Sequence, residues 1–394
     1  MKILLCAALT VICLFAPSLT LADARASVEL ANKTLYIRVV VARRPLWFVL
    51  DTGDKYAVID LPTAQKLGVA LGDPIPIGGG GDKTVMGALV KGTSFTVPEV
   101  GNFSQPLFIA APLGDLAKIS GHEFAGVLGY DFISQFIVEI NYASQTVTLH
   151  DKDTYHYDRG GESFPITFNT SGHPMVHGEV VDDDGRTATG DFVLDIGNGA
   201  ALILNTPFVD AQHYLQSGRR TLPWIEGRAF GGGVDGVVGR VRAFRLGRFE
   251  IARPLTVFAR TVQGPFGAAD QQGNIGAAIL EKFRVVIDYP HNRIYLEPNA
   301  QFSAPIPYNR TGLSLTSSGD DFRTFLVDAV ADASPASEAG LQKGDILVAI
   351  DGKPAMDFTL SALREDLQHM QQAILTIRRG DRTIETTIRP RDLV

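Results

Sequence analysis

Two stretches of this sequence carry an apolar run into an aspartate and then a glycine: Phe48-Val49-Leu50-Asp51-Thr52-Gly53 and Phe192-Val193-Leu194-Asp195-Ile196-Gly197. A single stretch reads equally well as a strand ending in a turn, because Asp and Gly are common turn residues. A turn gives no reason to write Phe-Val-Leu-Asp-x-Gly twice. Two carboxylates brought together cannot both ionise cheaply, so the pair keeps one proton over a range of pH. One is then an acid and the other a base. A water between them can be activated to attack a peptide carbonyl with no metal and no covalent intermediate.

Such chemistry needs each carboxylate fixed on a tight turn within reach of the other. Gly53 permits close backbone approach, and the Thr52 hydroxyl can tie its turn to a neighbour. The surrounding chain is also written twice. Residues 126–149 align with 273–296, pairing Gly129 with Gly276, Phe136 with Phe283, Val138 with Val285, Ile140 with Ile287, Tyr142 with Tyr289 and Leu149 with Leu296. The matches alternate like one face of a strand. After each aspartate comes a helix start with a cap residue and a proline, Asp60-Leu61-Pro62 and Asn205-Thr206-Pro207,. A glycine run follows, 78–87 and then 231–239. This order predicts a duplicated β-rich unit. Gly78, Gly79, Gly80 and Gly81 are candidates for a flap that closes over substrate, the plainer alternative being an ordinary flexible hairpin. They do not form a phosphate loop, since Asp82 stands before Lys83-Thr84 where that motif requires glycine,.

In these features the chain resembles the pepsin and retropepsin group of aspartic proteases, specifically bacterial retropepsin-like proteins with the unit duplicated in one chain. The likeness runs over roughly residues 30–298. It implies catalytic roles for Asp51 and Asp195, with Thr52, Gly53, Gly197 and Asn198 supporting the loops. The family's apolar-apolar-Gly support is matched by Val127-Leu128-Gly129 and in part by Asn274-Ile275-Gly276. Three positions depart. Ile196 lacks the hydroxyl that ties the two loops together in the family, so one side of that grip is expected to be missing. Asp54 stands where the family carries a small residue and would raise the pair's pKa unless it points away. Asn198 takes the equivalent place in the second copy. These departures leave two readings, an active endopeptidase and an inactive homologue that holds peptides.

The tail changes character. Ser334-Pro335-Ala336, Ala339-Gly340-Leu341, Gly344-Asp345 and Ile350-Asp351-Gly352 resemble a bacterial-type PDZ domain. The resemblance implies a groove for an extended peptide, with Gly312-Leu313-Ser314-Leu315 holding a C-terminal carboxylate; the alternative is a first strand with no ligand. The expected fold is therefore mainly β: two homologous pepsin/retropepsin-like β-barrel lobes at 25–155 and 160–300, then an α+β PDZ domain at 311–394. Polar residues 151–163 and proline-rich 298–310 form the breaks.

Residues 1–24 read as a secretory signal, with Lys2, an apolar run to Ala16, and Ala22 and Ala26 as competing cut points,. The run is short for a membrane anchor. Both cysteines, Cys6 and Cys13, lie in that segment. Periplasm or medium is the expected location, with no stable membrane anchor after cleavage. The net charge of −7 is spread without a basic stripe, which argues against nucleic acid. The expected partners are peptide or protein substrates and a protein C-terminus at the PDZ groove, with a monomer sufficient and no cofactor. Residues 173–179, His-Pro-Met-Val-His-Gly-Glu, read as a strand rather than a zinc helix. Asp182-Asp183-Asp184-Gly185 reads as a surface hairpin tip.

Overall fold

The computed structural model describes residues 23–216 and 218–394. Residues 1–22, which hold Cys6 and Cys13 and most of the stretch read as a secretory signal, lie outside the described residues. The fold is mostly β with few helices. Among the described residues no helix is long and apolar enough to cross a membrane.

The first lobe is an eight-stranded sheet in which Thr34–Val41 pairs both with Arg44–Leu50 and with Val85–Val97, curling the sheet on itself. Arg44–Leu50 ends in three successive buried residues, Phe48, Val49 and Leu50, because it runs through the interior with neighbours on both faces. It pairs in parallel with Gly126–Leu128, which inserts between it and Val58–Asp60. The second lobe repeats the device. Thr187–Asp195 pairs in parallel with Gly273–Gly276, which in turn pairs antiparallel with Leu202–Leu204.

A six-stranded sheet joins the lobes. Its centre pairs Ile137–Asn141 with Phe283–Asp288 antiparallel, Val138 opposite Ile287 and Ile140 opposite Val285. The two copies of one sequence element thus face each other across a pseudo-twofold axis. Glu139 lies buried in this sheet, where a hydrogen bond from His150, then Arg159 and Arg284, holds its carboxyl down at about 2.

The C-terminal unit has its own core, built from Leu315, Phe325, Leu347, Leu363 and Leu375 on a sheet of Leu313–Ser318, Thr324–Val330, Ile346–Ile350, Ala373–Arg379 and Arg382–Ile388. The buried Asp345 carboxylate accepts from Arg379 Nε and Nη2, each at 2.7 Å. The two paired helix starts differ in detail. Asp60 caps its helix by accepting from the Thr63 amide at 3.0 Å. Asn205 makes no cap and donates instead to the carbonyls of Pro265 and Ala268. The 182–185 segment is a hairpin turn, yet Asp182 is buried and pairs with Arg219 and Arg186 rather than standing at the surface.

Candidate active site

Each aspartate loop is held by the element that inserts beside it. The Asp51 amide donates to the Leu128 carbonyl at 3.0 Å, and the Asp195 position pairs with Gly276. Gly129 and Gly276 carry no side chain because there is no room. A Cβ on Gly129 would lie 2.5 Å from the Asp54 carbonyl oxygen, and one on Gly276 would lie 2.2 Å from that of Ala200. The repeated Leu-Gly and Ile-Gly steps thus let each aspartate turn fold back onto its support.

The two loops meet. The Asp51 and Asp195 carboxyl groups lie side by side, close enough that each shifts the proton affinity of the other. A Cβ on Gly53 would sit 2.8 Å from the Asp195 carboxyl, and one on Gly197 would sit 2.2 Å from that of Asp51. Each carboxylate therefore rests on the glycine of the opposite loop. Asp51 also accepts from the Gly53 amide at 2.7 Å, and the nearby Gly197 amide favours its ionised form.

The tie between loops is made by one residue. Thr52, fully buried, donates its hydroxyl to the Leu194 carbonyl at 2.6 Å and accepts from the Ile196 amide at 3.0 Å. The sequence led us to expect half of this grip to be missing. Ile196 indeed contributes only a buried apolar side chain, but the loops remain joined by two bonds because a hydroxyl both donates and accepts.

Two further side chains set the electrostatics. Asn274, which interrupts the apolar support in the second lobe, donates its amide to Asp195 Oδ2 at 2.9 Å. Asp54 does not point away. Burial, then the Asp51 and Asp131 carboxylates, push it up to about 8, while Asp131 accepts from the Ala57 amide at 2.9 Å. Burial raises Asp51, opposed by the amides of Gly53 and Gly197 and by the Asp195 carboxyl. Asp195 is raised further, by burial first and then by the Asp51 charge, with Asn274 opposing and Asp54 adding to it. Asn198 stays local, its Oδ1 accepting from the Ala200 amide at 2.9 Å.

Over the pair the two glycine loops cross. The Gly81 amide donates to the Phe230 carbonyl at 2.9 Å and the Lys83 amide to that of Gly231 at 2.8 Å. A Cβ on Gly81 would lie 2.3 Å from the Gly232 nitrogen, so this crossing excludes side chains. Gly78, Gly79 and Gly80 line a cavity of about 970 Å³ that also takes in Asp51 and Asp195.

Comparison with known families gives these features names. A family model described as aspartyl protease matches residues 37–132, and one described as PDZ domain matches 326–379. The chain carries an aspartyl protease domain and a PDZ domain. The protease match holds the Asp51 loop, its Gly129 support and the first glycine hairpin; the second lobe lies outside it and is related to the first by the repeats above. Among solved structures, the crystal structure of the HtrA3 PDZ domain bound to a phage-derived ligand (FGRWV) is 26% identical, covering 21% of this chain and 83% of that one, with a TM-score of 0.19. No curated protein matches.

Sequence reasoning singled out both aspartates, their glycines and Thr52, and the fold brings all of them to one point. It missed Asn274, and the only available signal was a polar residue where an apolar one was expected. It placed the second glycine run at 231–239, whereas only its start, with Phe230, meets the first loop; Gly236 and Gly239 lie in the strand Gly236–Arg240.

Proposed function

We propose that this chain is an aspartic endopeptidase of the cell envelope, acting in the periplasm or the medium after removal of its signal segment. The observation that carries the reading is the crossed seating of Asp51 and Asp195, each carboxyl on the other loop's glycine and the two close enough to shift each other's proton affinity. Asp51, whose ionised form two backbone amides favour, is the carboxylate and general base,. Asp195, raised further, keeps the proton and is the general acid.

A water lodged between them gives a proton to Asp51 as its oxygen bonds to the peptide carbonyl carbon. Asp195 gives its proton to the carbonyl oxygen, forming a neutral gem-diol. Return of a proton from that diol to Asp195, and transfer of the Asp51 proton to the amide nitrogen, break the C–N bond and restore the starting pair. The crossed glycine loops hold the substrate strand over the pair and exclude water. The PDZ domain recruits substrate by its C-terminus or gates the cleft.

The test is cleavage of an unfolded protein by the wild type beside Asp51→Asn and Asp195→Asn, with near-ultraviolet circular dichroism as the check on folding. Both variants should lose at least about a thousandfold. Full activity in either one ends the dyad reading. A folded wild type that binds peptide and cuts nothing would make the chain a peptide-holding homologue.

A further inference from the structure

A PDZ domain takes its peptide as an added strand on a free sheet edge, with backbone amides holding the terminal carboxylate. In this chain that edge is Leu313–Ser318, which pairs on one side only, with Thr324–Val330, and borders the helix Leu360–His369. The edge is covered. The lobe 1 helix Gly114–Ser120 lies along it. Ser317 donates its hydroxyl to the Lys118 carbonyl at 2.8 Å, and the Arg364 guanidinium donates to the carbonyls of Ile119 at 2.9 Å and Leu315 at 2.8 Å. Gly121, at φ 68°, packs so tightly on Leu360 that a Cβ there would lie 2.4 Å from the Leu360 Cβ.

The amide end is filled as well. Asn309 Oδ1 accepts from the backbone amides of Thr311 and Gly312, each at 3.1 Å, and from the Thr311 hydroxyl at 2.7 Å. The Leu313 amide donates to Thr311 Oγ1 at 3.1 Å. The side-chain oxygens of Asn309 and Thr311 thus take the Gly312 and Leu313 amides, the first two of the 312–315 loop assigned to a terminal carboxylate.

We propose that the PDZ groove is closed by the chain itself. The lobe 1 helix Gly114–Ser120 and its following turn lie where a peptide would lie, and the Asn309 and Thr311 side chains hold the first two amides of the carboxylate loop. A protein C-terminus then enters only by unseating the PDZ domain from lobe 1. The same contact bears on the cleft, because Ile119 and Ser120 of lobe 1 and Arg364 and Gln368 of the PDZ helix line the cavity that holds Asp51 and Asp195. Unseating opens that end of the cavity, so peptide binding and access to the aspartates are one equilibrium. This last step rests on the protease reading; the closure of the groove does not.

Two variants of the full chain test it. Gly121→Val drives a branched side chain into Leu360 at a left-handed φ, and Arg364→Ala removes the two carbonyl bonds without touching the lobe 1 backbone. The probe is a pool of fluorescein-labelled random pentapeptides with free C-terminal carboxylates, beside the same pool amidated. Both variants should bind the free-acid pool at least tenfold tighter than wild type and leave the amidated pool unbound. Amides of 114–120 and 313–318 should exchange with deuterium at least tenfold faster, while 48–53 and 192–197 keep their protection.

Equal binding by wild type and both variants, or binding by none, overturns the proposal, as does unchanged exchange along 313–318 in both variants. Should Gly121→Val fail to fold, Arg364→Ala decides alone. These readouts do not use cleavage, so failure of the protease reading leaves them intact. Where the wild type cuts an unfolded protein, the variants should cut it several-fold faster, and an unchanged rate overturns the link to the cleft.

Discussion

The first aspartate loop reads Asp51-Thr52-Gly53-Asp54 and the second reads Asp195-Ile196-Gly197-Asn198. Their backbones do the same work, yet their side chains have divided it. Each glycine seats the opposite carboxyl, and each loop folds onto an inserted strand with a glycine at its end, Gly276, or just past it, Gly129. The first lobe supplies both bonds of the tie through Thr52 and adds a third carboxyl in Asp54. The second lobe fills its half of the tie with a buried Ile196 and supplies an amide, Asn274, to its own aspartate. Once two copies are fused in one chain, the symmetry that catalysis needs is that of the carboxylates and the main chain. The supporting side chains are free to specialise, and here they act on Asp195 in opposite directions, Asn274 favouring its ionised form and Asp54 opposing it.

Changes that strike the shared backbone should hurt both halves most. Gly53→Ala and Gly197→Ala each push a methyl into the opposite carboxyl, at 2.8 and 2.2 Å from its nearest atoms. Displacement on that scale should cost about a hundredfold in kcat/KM, with Gly197→Ala the worse. Equal and near-normal rates in both would show that the carboxyls are not seated this way.

The tie should break unequally. Thr52→Val keeps the shape and leaves the buried Leu194 carbonyl and Ile196 amide without partners, a loss of roughly 2–4 kcal/mol in unfolding experiments. Ile196→Val removes one methyl from a packed side chain and should cost only about 1 kcal/mol. Similar losses in the two would mean that Ile196 is more than packing.

The subtlest contrast lies in proton affinity, where the two lobes pull in opposite directions. The Asn274 amide favours the ionised form of Asp195, so Asn274→Leu should move the alkaline limb of the kcat/KM profile upward. Negative charge on Asp54 opposes ionisation of Asp195, so Asp54→Asn should move that limb downward. Each shift should be on the order of one pH unit. Movement in the same direction would remove the division of labour between the lobes.

What the sequence made legible was local and repeated. Phe-Val-Leu-Asp-x-Gly, the Gly129 and Gly276 steps and the first glycine run each announce a backbone requirement by their own residue types. The alternation of the aligned residues in 126–149 and 273–296 marked each segment as a strand, but that 137–141 and 283–288 pair with each other came only from the fold. What stayed hidden depends on partners far along the chain. That the Thr52 hydroxyl serves two groups at 194 and 196, and that Asn274 reaches Asp195, follows only from how the lobes meet. Asp182 reads as a turn residue, and nothing nearby announces that Arg219 will bury it. The seating of the PDZ edge on residues 114–121 was likewise invisible, since Asn309 lies in a proline-rich stretch that reads as a break between domains.

On the proposed reading Asp51 and Asp195 share one proton across the crossed loops. Cleavage of an unfolded protein by the full chain, followed from about pH 3 to about pH 8 beside Asp51→Asn and Asp195→Asn, tests it most directly. The profile should be bell-shaped, rising as Asp51 ionises and falling only well above the ordinary carboxylate range, as burial and Asp51 hold the proton on Asp195. Both variants should be inactive throughout. Activity that survives in either variant, or that vanishes as ordinary carboxylates ionise near pH 4, would contradict it.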